Sequence, residues 1–137
     1  KGKDLTIISY GSTLNIVEKV GQKLLDYDID CEIIDLQSLI PFDISHRIKK
    51  SVEKTNRILI VDEDMPGGAS SYILQELLNT QKIYNKLDSE PNLLTAKEHR
   101  PPYGSDGDYS SKPSFEDIFE KVYEIMNEVD PNKYSNI

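Results

Sequence analysis

The sequence predicts an α/β domain with a mainly parallel sheet and helices on both faces. Three observations predict it. Four short apolar runs alternate along the chain with four segments whose apolar residues recur at helical spacing. The 137 residues are the length of one domain and enough to bury a core without disulfides or a structural metal. The first run, "LTIIS", closes on Tyr10 and Gly11 before a helical pattern begins, the strand–glycine–helix corner of such folds.

The elements follow in order. Leu5 to Ser9 is the first strand. Ile16, Val17, Val20 and Leu24 then mark one helical face, with Ser12 or Thr13 placed to cap its start. "CEIIDLQSL" reads as the second strand and Pro41 ends it. Asp43 is the expected N-cap of a helix bearing Ile44, Ile48 and Val52. "RILIVDED" is the third strand. "PGG" breaks the chain, and Ala69, Ile73, Leu74, Leu77 and Leu78 form the third helical face. "NLLTAKE" is a weaker fourth strand. In the last helix Phe115, Ile118, Phe119, Val122, Met126 and Val129 share a stripe, and Ser114 with Asp117 resembles a capping box. "TQKIYNKLDSEP" and "HRPPYGSDGDYSSKP" escape the pattern. The second reads as a long surface loop. The domain is expected over residues 1–130, followed by a tail at 131–137 that is frayed or docked on a partner.

Composition narrows the function. Hydrophobic residues make up 37 %, and the formal net charge of −8 argues against nucleic acid and anionic membranes while permitting a basic protein partner. No apolar stretch approaches the roughly 20 residues of a membrane helix, and no signal peptide is recognisable. Cys31 is the single cysteine, which points to a reducing compartment, read as cytoplasmic. The chain opens on Lys1 rather than Met, so it is expected to be a piece of something longer.

The candidate contacts lie where the strands end. At the first corner only Gly11 is present, followed by Ser12, Thr13 and Leu14; the dinucleotide fingerprint needs three glycines. Asp35 occupies the place of a ribose-binding acid. The corner therefore reads as structural, with an anion contact at the helix start as the competing use. Asp62, Glu63 and Asp64 end the third strand, and adjacent residues of an extended chain cannot all face one ion. They read as a solvated acidic strand end. "SDGD" lacks the remaining ligands of a calcium loop. His46 reads as a surface residue. His99, Arg100 and Tyr103 open the long loop on the same sheet edge as Gly11 and Asp62, but no nucleophile accompanies them. Gly11, Ser12, Asp62, Glu63, His99, Arg100 and Tyr103 are thus candidate interface or anion contacts. No catalytic, cofactor or metal residue is assigned. A module binding a small ligand or nucleotide through Gly11, Asp35 and Asp62 stays open.

Three segments together carry a resemblance. "DLTIISYGSTLNIVEKV", "CEIIDLQSLIPFD" and "KTNRILIVDEDMPGGASSYI" resemble the C-terminal domain of transketolase-like enzymes. The likeness is greatest to the beta subunit, or beta half, of the decarboxylating component of 2-oxo acid dehydrogenase complexes. It rests on Tyr10, Gly11 and Ser12; on Glu32, Ile34, Asp35, Leu36, Ser38, Leu39, Pro41 and Asp43; and on Glu63, Gly67 and Gly68. The loop at 98–114 departs from the usual shorter segment. The resemblance implies a three-layer α/β/α fold and a parent enzyme that uses thiamine diphosphate and magnesium. That enzyme decarboxylates pyruvate or a branched-chain 2-oxo acid and passes the acyl group to lipoamide. It further implies that the catalytic residues lie in other domains, and that this domain serves assembly and docking of the lipoyl acyltransferase. In the family a short antiparallel strand precedes "DLTIISYG"; this chain is expected to begin too late to hold all of it, which leaves four parallel strands and a missing edge. Another transketolase-type enzyme is the alternative parent.

Overall fold

The computed structural model describes residues 2–36, 43, 46–62, 69–95 and 113–134. The described strands are β1 (Leu5–Ser9), β2 (Cys31–Asp35), β3 (Ile58–Val61) and β4 (Asn92–Leu94). They form one four-stranded sheet in the order β2-β1-β3-β4. Every pairing is parallel, with Leu5 opposite Cys31, Ile7 opposite Leu59 and Ile60 opposite Leu93. The helices are α1 (Thr13–Leu24), α2 (Arg47–Thr55), α3 (Ala69–Gln75) and α4 (Phe115–Val129).

Alternation along the two central strands divides the core. Leu5 and Ile7 of β1, with Leu59 and Val61 of β3, pack against Val17, Val20 and Leu24 of α1 and Ile118, Val122, Ile125 and Met126 of α4. Ile8, Ile58 and Ile60 point the other way, onto Ile48 and Val52 of α2 and Ile73 and Leu77 of α3. Both central strands are buried along their whole length, so they read as unbroken apolar runs rather than as alternating ones. The result is three layers, α1 and α4, then the sheet, then α2 and α3.

Local structure refines the expected elements. Ser12 occupies the N-cap of α1 without a side-chain cap hydrogen bond. Asp43 does cap α2, from outside the helix: its Oδ1 accepts from Arg47 N at 3.0 Å and its Oδ2 from Ile48 N at 2.9 Å. His46 holds the N-cap position with φ 54°. The third helix runs on as a single π turn at Glu76–Thr80. The unpatterned "TQKIYNKLDSEP" holds a 3₁₀ turn, Ile83–Lys86, whose Ile83 is buried in the α2–α3 layer. The capping box at Ser114 and Asp117 forms, with hydrogen bonds of 3.2 and 3.0 Å.

Two expectations are corrected. The buried stripe of α4 is Ile118, Val122, Ile125 and Met126, whereas Val129 is 39 % exposed. The described start of the tail, residues 131–134, is packed on the domain rather than frayed. Tyr134 is buried, its hydroxyl donates to Asp28 O at 3.1 Å, and Lys133 pairs with Asp28 at 2.8 Å. Asn127 Nδ2 donates to Tyr134 O at 2.5 Å and closes the turn onto α4.

A buried polar knot ties β1 to α2. Thr6 Oγ1 lies 2.7 Å from both Ser51 Oγ and Thr55 Oγ1. Ser51 donates to Glu32 Oε1 at 2.6 Å, and Thr55 donates to Arg57 O at 3.0 Å. With those two protons committed outward, the Thr6 proton serves one neighbour at a time. Gly2 lies against the backbone of β2: a Cβ there would stand 2.2 Å from backbone atoms of Cys31 and Glu32, so only glycine fits.

Candidate functional site

The parallel sheet brings the ends of β1, β2 and β3 to one edge, the place where open α/β sheets bind ligands. At the end of β1, Gly11 turns the chain with φ +64°, a conformation that favours glycine. Leu14 N then donates to Gly11 O at 3.2 Å as α1 starts. Gly11 and Ser12 are both exposed. A Cβ on Gly11 would meet nothing within 4 Å, so the glycine serves the backbone turn and not a close approach.

Asp62 is placed differently from the solvated acid its sequence position suggests. It is fully buried. The Tyr10 hydroxyl donates to its Oδ1 at 2.5 Å, and the backbone N–H of Ser70 donates to its Oδ2 at 2.8 Å. Its own N–H donates to Leu94 O at 2.9 Å. One carboxylate thus joins the end of β1, the end of β3 and the start of α3. Burial of a carboxylate without such partners is strongly unfavourable; here Tyr10 and Ser70 donate to it. Ser9 reinforces the same edge by donating from Oγ to Val61 O at 3.1 Å. Tyr10 was missed as a site residue; its signal was its place between the strand and Gly11, but its partner lies 52 positions away.

The edge therefore gathers Gly11, Ser12 and Asp62, with Asp35 half-buried at the end of neighbouring β2. Glu63, His99, Arg100 and Tyr103 lie outside the described residues, as does Asp64. His46 is exposed at the start of α2, in line with its surface reading. Among the described residues, no three His, Cys, Asp or Glu side chains are grouped to hold a metal. The Gly11 corner carries one glycine of the three a dinucleotide turn needs, and the Asp62 carboxylate is engaged inside the domain. The described residues do not fit a diphosphate with its magnesium. A cleft of about 650 Å³ lies away from this edge, against α1 and β2, where Asn15, Glu18, Lys19, Gln22, Cys31 and Ile33 line it. Burial, then the charges of Asp4 and Asp30, push the Cys31 thiol up to about 12, so the one thiol in that cleft is a poor nucleophile.

The four-stranded parallel sheet, with helices layered on both faces and an edge held by internal hydrogen bonds, defines an α/β domain of the three-layer kind. Residues 1–111 match the family "Transketolase, C-terminal domain", and the chain belongs to that family. A pyruvate dehydrogenase E1 component subunit beta from Mesostigma viride is 37 % identical over 126 residues, 92 % of this chain and 38 % of that protein. The subunit of the same name from Cyanidium caldarium is 35 % identical over 125 residues, 91 % of this chain and 38 % of its own length. Among solved structures, a split-gene transketolase described as an inactive beta4 tetramer superposes with a TM-score of 0.67. It shows 20 % identity, over 90 % of this chain and 38 % of the other. This last likeness is one of fold. The chain spans well under half the length of these curated relatives.

Proposed function

We propose that the chain is the C-terminal domain of the beta subunit, or beta half, of a thiamine diphosphate-dependent 2-oxo acid dehydrogenase acting on pyruvate. The observation that carries this reading is the likeness over some nine-tenths of the chain to proteins named pyruvate dehydrogenase E1 beta subunits. The parent reaction is oxidative decarboxylation with transfer of the acyl group to lipoamide. Thiamine diphosphate and magnesium belong to other domains of that enzyme. This domain's part is assembly with those domains or subunits and docking of the lipoyl acyltransferase. Its solvent-facing acids suit a basic partner, while its internally bonded sheet edge suits a scaffold.

We extend the proposal to the loop at 99–113, whose His99, Arg100 and Tyr103 are set against a neighbouring domain or subunit; Arg and Tyr are enriched at interface hot spots. No helix among the described residues is long and apolar enough to cross a membrane. Relatives include proteins named as chloroplastic and as mitochondrial. We place the parent enzyme in a reducing interior of this kind, the cytoplasm or an organelle, where Cys31 stays a thiol.

The test is removal of this domain from the parent enzyme. Without it, gel filtration and capture by the acyltransferase should show loss of assembly, while supplying the domain in trans restores part of it. Full assembly and activity without the domain would overturn the proposal.

A further inference from the structure

Phe115, Phe119 and Tyr123 recur every fourth residue of α4, so their rings form a ladder on one flank of the helix. Ring centroids are 6.4 Å apart for the first pair and 6.3 Å for the second, with planes tilted by only 10° and 8°. Tyr27, from the turn after α1, stands edge-on to the ladder, 5.2 Å from Phe119 and 6.0 Å from Tyr123. The ladder is not sealed from water. Tyr27 is 38 % exposed, and Phe115 and Phe119 are only half-buried. Between them opens a cleft of about 210 Å³ lined by Lys23, Tyr27, Phe115, Glu116, Phe119 and Glu120. That is smaller than the roughly 300–1,000 Å³ of small-molecule sites, and suits one long side chain.

The lining selects the charge of that side chain. Aromatic faces carry the negative end of a quadrupole, and Glu116 and Glu120 add carboxylates. The ammonium of Lys23, the one cation among the lining residues, lies 3.7 Å from Asp26. An anion is repelled, and an aliphatic side chain would desolvate the two carboxylates without compensating them. A guanidinium stacks on a ring and forks onto a carboxylate at once, which an ammonium does less well. The surrounding face is mainly acidic: Glu116, Glu120, Glu124 and Glu128 recur every fourth residue and are all exposed, with Lys121 paired to Glu124 at 3.1 Å.

We propose that this cleft receives an arginine side chain of a basic protein segment. Tyr27 and Phe119 hold the stem and plane of the guanidinium, and Glu116 and Glu120 hold its charge. The proposal stands on α1, its following turn and α4, and does not depend on which enzyme the domain belongs to.

The test titrates the 137-residue chain with an acetylated, amidated hexapeptide of alternating arginine and glycine, followed by NMR of the aromatic rings. The Tyr27 and Phe119 signals should move on binding. Tyr27→Leu, which keeps apolar bulk, should weaken binding about 2–5-fold, the equivalent of an exposed cation–π contact. Glu116→Gln with Glu120→Gln should weaken it at least about 5-fold, and Glu124→Gln with Glu128→Gln, an equal change of charge, less than about 2-fold. The lysine–glycine peptide should bind more weakly than the arginine one. Equal losses in the two double variants would overturn the proposal in favour of a diffuse acidic face. Unmoved Tyr27 and Phe119 signals would overturn it outright. So would ring shifts that follow the chain's own concentration without peptide, since the occupant would then be a second copy.

Discussion

Replacing Tyr10 by Phe removes one oxygen and leaves the ring in place, so the loss isolates the bond to Asp62. That bond is 2.5 Å long and ends on a carboxylate with no exposed surface. A hydrogen bond to a charged, buried group contributes roughly 1.5–3 kcal/mol, and no cavity term adds to it here. With an unfolding entropy of about 2.1 cal/mol/K per residue, a loss of ~2 kcal/mol lowers the Tm of a chain this size by about 7 °C. Asp62→Asn keeps the shape but cannot accept from both Tyr10 and Ser70, and it should cost a similar amount. The double variant should lose less than the two losses added, by about 1 kcal/mol or more, because the two groups share one bond. Urea unfolding followed by far-ultraviolet circular dichroism, with thermal melts, measures all four proteins. A Tyr10→Phe loss below about 0.5 kcal/mol, or strict additivity, would refute the structural role of the pair. An increase in stability would instead mark a strained site held open for a ligand.

Four further outcomes are expected. The isolated chain should show no magnesium-dependent heat on titration with thiamine diphosphate and no decarboxylation of pyruvate; stoichiometric binding would contradict the placement of the cofactor in other domains. Cys31, with its thiol pushed up to about 12 by burial and the nearby Asp4 and Asp30, should label slowly with a maleimide at pH 8 and fast in denaturant; equal rates would refute its shielding. Burial pushes the Glu32 carboxyl up, but hydrogen bonds, those from Ser51 and Lys54 among them, outweigh it and hold it at about 2. The stability it contributes is therefore full above the ordinary carboxylate pKa and lost as pH falls from about 4.5 towards 2, and Glu32→Gln should flatten that part of a stability–pH curve. In the assembled enzyme, Arg100→Ala with Tyr103→Ala should reduce assembly or activity while barely moving the Tm of the isolated domain; the reverse pattern would make the loop merely structural.

Much of the architecture was legible from neighbouring residues. The apolar periods of α1 and α2, the buried runs of β1 and β3 and the capping box at Ser114 and Asp117 are local patterns, and backbone geometry turns them directly into elements. Family membership was legible for a related reason: the resemblance rested on short local motifs, the Tyr10-Gly11-Ser12 corner and the residues around Asp35 and Asp43, and these lie within the matched residues 1–111. Contacts between distant residues were not legible. Asp62 looked like a solvated strand end because its two donors, Tyr10 and Ser70, arrive from other elements. The tail read as frayed or docked on a partner because its anchor within the domain, the carbonyl of Asp28, is 106 positions away. Val129 carried the right spacing for the buried stripe of α4, yet Ile125 took the place, since docking on the sheet selects the buried arc of a helix. Sequence by itself thus determined the elements, their order and the family, because those follow from short-range pattern. The tertiary structure alone decided which polar groups are consumed inside the domain and which face outward, because burial of a charge depends on donors that only folding brings within hydrogen-bond reach.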